Sequence, residues 1–116
     1  MSAPFDLSGW ARRDEARREA ANRLVAKVRE ARVPAAQVLR AHGVGEAYLF
    51  GSVARETNRP DSDVDLAVSG CPPEAFYRVS AEFERVFGAP LDLVDLDRAP
   101  ADLAAAIRDA GIRIFP

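Results

Sequence analysis

Asp63 and Asp65 are separated by one residue in a segment that alternates polar and apolar side chains, DVDLAV, residues 63–68. This period of two predicts a β-strand, in which residues i and i+2 leave the same face. Two adjacent carboxylates repel each other, so the pair indicates either a solvated strand face or a site that holds a cation. Divalent ions such as Mg²⁺ prefer carboxylate and phosphate oxygens, and two-metal sites share carboxylates between their ions.

Gly51-Ser52 follows a short apolar run, EAYLF, that predicts a first strand over residues 46–50. A Gly directly after a strand allows a tight turn and lets a phosphate approach the backbone, while a helix that begins just beyond offers free N–H groups. Ser52 adds a hydroxyl donor, and Arg55 lies one helical turn further and could donate to the same phosphates. An ordinary turn and a surface arginine are the alternatives when each feature is taken alone.

The elements around these residues predict an α/β or α+β fold with a small mixed sheet of about four strands, flanked by helices that cover one side. A long N-terminal helix should run from Trp10 to about Arg32, where Pro34 breaks it, and a second should end at Gly43. Other predicted helices begin at Val53, after Cys71-Pro72-Pro73 and at Pro100, and the remaining strands are expected over residues 63–68, 91–96 and 112–115.

The chain has 116 residues, 48% hydrophobic and 29% charged, which fits one globular domain with one active site. We predict an N-terminal helical extension over residues 1–40 and the catalytic domain over residues 41–116. One Cys and one His exclude a zinc site of the usual kind, so a metal must be held by oxygen. Residues 1–10 lack the pattern of a secretory signal and no segment is apolar enough to span a membrane, so we expect a cytoplasmic protein.

Charge is unevenly distributed along the sequence. Residues 1–40 carry nine basic and five acidic side chains, whereas residues 41–116 carry seven and thirteen, for a net charge of −2 overall. This balance argues against a dedicated nucleic-acid-binding protein. The Arg-rich N-terminal helix is either a solvated, salt-bridged helix or a docking surface for an acidic partner or a second copy of the chain, so a homo-oligomer or hetero-oligomer is possible through it.

The segment LFGSVARETNRPDSDVDL, residues 49–66, resembles the signature of the polymerase-beta-like nucleotidyltransferases: Gly-Ser, ten residues, then Asp-x-Asp. Together with LDLV at 91–94 and the short chain, it looks like the minimal nucleotidyltransferase (MNT) branch, the antitoxins paired with HEPN toxins. The chain differs from many relatives in one respect, because Glu56 stands where they have Gly.

The resemblance implies a site in which Asp63 and Asp65 ligate two Mg²⁺ ions while Gly51 and Ser52 hold the phosphates of ATP, with Arg55 beside them. The family's third carboxylate lies on a neighbouring strand, where Asp92 fits; Asp95 is the rival, but strand parity points it to the opposite face. Related MNT proteins transfer AMP to a tyrosine of the HEPN toxin, so the resemblance implies a protein adenylyltransferase with a HEPN partner.

Two other functions remain open at this stage. A protein of this kind could neutralise its partner by binding and occlusion without catalysis, although paired carboxylates have no purpose in a purely binding protein. It could also modify a small molecule, but such enzymes usually carry an additional substrate domain. Tyr48 and Tyr77 could accept a nucleotide themselves, but we expect both to be buried.

Overall fold

The computed structural model describes residues 8–116, so residues 1–7, most of the stretch inspected for a secretory signal, lie outside the described residues. The helices and strands alternate after an N-terminal helical pair, as the sequence predicts. The helices are α1 (Ser8–Glu30), α2 (Arg32–Ala41), α3 (Gly51–Arg55), α4 (Phe76–Phe87) and α5 (Ala101–Ala110), and the strands are β1 (Glu46–Phe50), β2 (Val64–Ser69), β3 (Leu91–Asp95) and β4 (Ile112–Phe115).

The break between α1 and α2 lies at Ala31, three residues earlier than the proline that causes it. The ring of Pro34 collides with the carbonyl of residue i−4 in a continuous helix, which here is Glu30, the last residue of α1. Pro34 itself is accommodated in the first turn of α2, where a backbone N–H would have no acceptor within the helix. Helix α2 ends as predicted, because Gly43 adopts a left-handed conformation with φ of 72°.

The four strands form one mixed sheet in the order β3-β2-β1-β4. Strands β1 and β2 are antiparallel, as are β1 and β4, whereas β2 and β3 are parallel and are joined by a crossover through α4. The start of β2 and the start of β3 therefore lie at the same edge of the sheet, next to the end of β1. Any side chains at those three positions are brought together by this topology.

Both faces of the sheet are covered, although we expected helices on one side only. The larger core lies between the sheet and α1, α2 and α4, and is filled by fully buried side chains such as Leu39, Phe83 and Phe87. On the other face, Ala104 and Ile107 of α5 pack against Tyr48 and Ala67. The chain returns across the second face because α5 must connect β3 to β4 on the far side of β1.

Helix α3 begins at Gly51, two residues earlier than predicted, and is followed by Glu56 in a left-handed conformation with φ of 57°. Only glycine adopts this region without steric cost. The Glu56 backbone thus takes the shape that a glycine would favour, and its carboxylate is tied to Arg29 of α1 at 2.9 Å. No helix within residues 8–116 is long and apolar enough to span a bilayer.

Candidate active site

The parallel register of β2 and β3 places Asp65 directly opposite Asp92. Residues opposite each other in adjacent strands project from the same face, with Cβ atoms roughly 5 Å apart. That face is the one covered further along by α5, because Ala67 and Val94, two residues beyond each aspartate, belong to the core beneath α5. Asp63 immediately precedes β2 and is exposed.

The electrostatics of Asp65 show that the three carboxylates share one field. Burial raises the pKa of Asp65 above its ordinary value of 3.8, and the charges of Asp92 and Asp63 raise it further. Arg55 acts in the opposite direction and lowers this pKa. The site thus concentrates negative charge that lacks a full counterion. Arg55, at the end of α3, is near enough to lower the pKa of Asp65.

Gly51 is packed against the Asp65 carboxylate. Its φ is 75°, and a Cβ atom added at this position would collide with the carboxylate oxygen of Asp65. Because Gly51 has no side chain, the first turn of α3, with Ser52, can lie beside the aspartates. Because α3 is only five residues long, an anion there would be held mainly by free N–H groups, the Ser52 hydroxyl and the Arg55 charge.

Asp95 lies on the opposite face of β3 from Asp92, as strand parity predicts. It is paired with Val68, a residue of the larger core. Its carboxylate accepts a hydrogen bond from the backbone N–H of Asp97 at 3.0 Å and lies 3.7 Å from Arg98. Asp95 therefore shapes the turn after β3 and does not face the aspartate pair.

The arrangement fits a magnesium-dependent site by its donor chemistry. Within the described residues, no three His, Cys, Asp or Glu side chains converge closely enough to enclose a metal ion by themselves. Mg²⁺ usually retains waters and is bound by one or two carboxylates together with substrate phosphates, so an open set of carboxylates suits it. Asp63, Asp65 and Asp92 provide such a set beside a place for phosphates.

An apolar pocket of about 250 Å³ adjoins the site and was not anticipated from the sequence. It lies between α3 and α5, with Gly51 and Arg55 on its rim and Leu103 and Ile107 on its far wall. The sequence did contain a sign of this pocket, because ADLAAAIRDA, residues 101–110, has apolar residues on more than one face of the helix. In the structure, Leu103 is accordingly 43% exposed. The pocket gives the site an apolar wall on the side away from Asp92.

The two tyrosines differ in their surroundings. Tyr48 is buried against α5, as expected, but Tyr77 is 83% exposed, so the expectation of burial was wrong for it. Tyr77 lies in the first turn of α4, which follows the far end of β2. It is therefore at the opposite edge of the sheet from the aspartates.

Comparison with known proteins agrees with this geometry. The profile of the family described as Polymerase beta, Nucleotidyltransferase matches residues 35–116. The chain is 26% identical to a chain in a toxin-antitoxin structure with AMP-PNP, with a TM-score of 0.60 and coverage of 68% of each chain. It is 27% identical to a protein described as a minimal nucleotidyltransferase, with a TM-score of 0.68 and coverage of 76% of this chain and 93% of the other.

A more distant similarity concerns the fold alone. The complex of a tri-AMPylated HEPN toxin from Shewanella oneidensis with an MNT antitoxin matches with 22% identity and a TM-score of 0.58, over 75% of this chain and 71% of the other. No curated protein matches the chain. Because the family profile spans most of the sequence and the fold agrees with it, this chain belongs to the polymerase beta nucleotidyltransferase family.

Proposed function

We propose that this protein is a Mg²⁺-dependent adenylyltransferase that moves AMP from ATP to a hydroxyl group of a partner protein. The observation that carries the proposal is the register of Asp65 with Asp92, beside a Gly51 that leaves no room for a side chain. A strand pair has no structural need for two opposed carboxylates, since like charges in that position destabilise a sheet. Catalytic use of those charges accounts for their presence.

Each residue has a role in this reaction. Asp63, Asp65 and Asp92 would hold two Mg²⁺ ions, which neutralise the developing charge on the phosphates when bound. Gly51 lets the triphosphate approach the backbone, Ser52 donates its hydroxyl, and Arg55 supplies a positive charge on the side of the leaving group. Arg55 suits this role because its charge already reaches Asp65.

The chemical step is an in-line displacement. The acceptor oxygen forms a bond to the α-phosphorus of ATP while the bond from that phosphorus to the bridging oxygen of the β-phosphate breaks, and pyrophosphate leaves. The proton of the acceptor hydroxyl passes to the Asp92 carboxylate, which is exposed and lies on β3, the edge strand beside β2. Arg55 and Ser52 keep the pyrophosphate oriented away from the attacking oxygen.

The acceptor we propose is a tyrosine of a HEPN toxin, so that the protein acts as an antitoxin in the cytoplasm. Support comes from the toxin-antitoxin structure with AMP-PNP at 26% identity and from the shared fold with the antitoxin in the tri-AMPylated complex.

The test is to incubate the protein with ATP, Mg²⁺ and the protein encoded by the neighbouring gene, and to weigh that partner by mass spectrometry. We expect a mass increase of one or more AMP groups, abolished in Asp63→Asn and Asp65→Asn. Asp95→Asn is the matched control, because it lies on the other face of β3 and its amide oxygen can still accept the Asp97 N–H. Its activity should remain close to that of the wild type.

Two outcomes identify the alternative functions. A partner that stays bound and inhibited with no change in mass would show neutralisation by occlusion and refute the enzymatic proposal. AMP transfer to an added small molecule, with the partner left unmodified, would show a different acceptor class and refute only the choice of acceptor.

A further inference from the structure

A positively charged groove runs along α1 on the side of the sheet opposite Asp65 and Asp92. It consists of two adjoining hollows of about 570 and 450 Å³ that share Pro60 and Asp61. Helix α1 forms one wall, and the loop over residues 57–62 forms the other, with Gly88–Pro90 closing one end. We call this the basic groove; its charged lining residues are Arg17, Arg23, Lys27, Arg59 and Asp61.

Four cations and one carboxylate line the basic groove, which gives it a local excess of three positive charges in a protein whose net charge is −2. Ion pairs engage other arginines: Arg29 contacts Glu56, Arg98 contacts Asp95 and Arg113 contacts Glu46. Across residues 8–116, none of the four groove cations forms an ion pair within 4.0 Å. Lys27 donates a hydrogen bond of 3.3 Å to the carbonyl of Gly88, which also lines the groove, but this neutral partner leaves the charge of Lys27 uncompensated. The groove therefore offers net positive charge to a ligand.

The groove leads to the proposed active site. Ser62 lines it and directly precedes Asp63, and Pro90 lines it two residues before Asp92. In addition, Asn58 donates a side-chain hydrogen bond of 3.1 Å to the Ala21 carbonyl of α1, which fixes the loop against the helix. The groove thus ends beside the residue before Asp63 and near the start of β3, at the same end of the sheet as the aspartates.

The dimensions suit a short extended peptide. Arg17 and Lys27 are ten residues apart on α1, or roughly 15 Å along the helix axis. An extended peptide covers that length with about five residues. The apolar floor, which includes Leu24 and Ala89, would contact side chains that alternate with acidic ones.

The lining favours protein over nucleic acid. Single-stranded nucleic acid is usually held by aromatic side chains that stack on its bases, and none of the lining residues in the described part of the chain is aromatic. Asp61 in the middle of the groove and the carboxylates at its end would also repel an unbroken row of phosphates. A peptide can place a neutral residue opposite Asp61.

We propose that the basic groove binds an acidic segment of the partner protein and thereby presents the acceptor to the site. The link to the acceptor rests on the proposed function, whereas binding of an acidic peptide does not depend on it. The groove gives a function to three of the basic residues of α1, Arg17, Arg23 and Lys27, and to the position of α1 beside the loop over residues 57–62.

The test measures binding of a fluorescein-labelled decaglutamate peptide to the full chain by fluorescence anisotropy at low salt. We expect saturable binding that weakens as salt is added, because exposed charges are screened. Arg17→Glu with Arg23→Glu should weaken it about tenfold, since two favourable charge interactions become repulsive. The matched control, Arg12→Glu with Arg18→Glu, makes the same charge change at exposed α1 residues outside the groove and should weaken it less than about twofold.

Equal weakening by the two double variants, or no binding by the wild type, would overturn the proposal. Tighter binding of a labelled uridine decamer, lost only in the groove variant, would indicate RNA and overturn it as well. Light scattering that shows a dimer of the wild type and a monomer of the groove variant would instead assign the groove to a second copy.

Activity assays separate this proposal from the enzymatic one. Asp63→Asn should bind decaglutamate like the wild type, whether or not the protein transfers AMP. If transfer to the partner does occur, the groove variant should raise the KM for the partner and leave the KM for ATP unchanged. Failure of transfer with intact peptide binding would refute the proposed function and leave the groove assignment standing.

Discussion

Replacing Asp65 by Asn removes the central charge of three neighbouring carboxylates and keeps the size of the side chain. The pKa of Asp65 is raised by burial and by Asp92 and Asp63, so its ionised form is less favourable in the folded protein than in the unfolded chain. We therefore expect Asp65→Asn to be more stable than the wild type at pH 7 without divalent cations, although it should be inactive.

The size of the effect follows from the register. Asp65 and Asp92 are opposite each other, and two unit charges roughly 5 Å apart repel by about 0.8 kcal/mol in water and about 3 kcal/mol at an effective dielectric constant of 20. Because Asp92 is exposed and Arg55 offsets part of the repulsion, the gain should lie near the lower value. About 1 kcal/mol corresponds to a rise in Tm of about 4 °C for a domain of this size.

The assay is urea and thermal unfolding of both proteins in EDTA across a pH series. The penalty from Asp65 exists only when it is ionised, so the stability difference should be full above its raised pKa and vanish below its ordinary value of 3.8. Mg²⁺ should stabilise the wild type and not the variant. A variant that is less stable than the wild type at pH 7 in EDTA would show instead that Asp65 stabilises the fold as a hydrogen-bond acceptor, and would contradict a destabilising charge at this position. Asp109→Asn, at an exposed carboxylate on α5, should change stability by less than about 0.5 kcal/mol.

Substitutions at three further positions test the packing of Gly51, the backbone conformation of Glu56 and the hydrogen bonds of Asp97. Gly51→Ala should lower the free energy of unfolding by about 1–3 kcal/mol in urea, because φ is 75° and the added Cβ collides with Asp65. It should also reduce AMP transfer about 100-fold or more, since the collision displaces the site. Near-normal activity would contradict the proposed packing. Glu56→Gly should be about 1 kcal/mol more stable than Glu56→Ala. Both variants lose the ion pair with Arg29, but only the alanine variant keeps a side chain on a backbone in the left-handed conformation. Equal stability of the two variants would show that this conformation is not strained. Asp97→Ala should cost about 0.5 kcal/mol at pH 7, because hydrogen bonds from Gly70 and Ser69 lower the pKa of Asp97 and stabilise its charged form, while solvent screens this exposed carboxylate. That cost should shrink as the pH falls through the lowered pKa, and a cost independent of pH would count against this origin.

Local patterns were sufficient for much of the fold. The run at residues 46–50 became β1 with the predicted bounds, because a short apolar run before a glycine is a strong strand signal. The helix expected after Cys71-Pro72-Pro73 is α4, and Val79, Phe83 and Phe87 form its buried face at the spacing of the helical period. Likewise, Gly43 ends α2 as its position suggested.

Long-range contacts account for what the sequence did not reveal. The packing of α5 on the second face depends on how the chain crosses from β3 to β4, which no local pattern specifies. Exposure of Tyr77 depends on which side of α4 meets the sheet. The early end of α1 was foreseeable, however, because the steric effect of Pro34 extends to the carbonyl four residues before it.

The candidate site was likewise predictable from the sequence only in part. The spacing of Gly51, Ser52, Asp63 and Asp65 is visible in the sequence. The family resemblance of LDLV at 91–94 favoured Asp92 as the partner on the next strand, and parity separated it from Asp95. The register that places Asp92 opposite Asp65, and the groove between α1 and the loop over residues 57–62, join residues far apart in sequence. The roles of the aspartates as metal ligands, of Gly51, Ser52 and Arg55 as phosphate contacts and of the basic groove as a docking surface are proposals.

AMP transfer to the partner is measured most directly by supplying ATP labelled at the α-phosphate together with the partner protein and Mg²⁺, and following the label on the partner. We expect covalent label on the partner with the wild type and with Asp95→Asn, and none with Asp63→Asn, Asp65→Asn or in the presence of EDTA. Labelling that survives Asp65→Asn, or a partner that binds without acquiring label, would contradict this expectation.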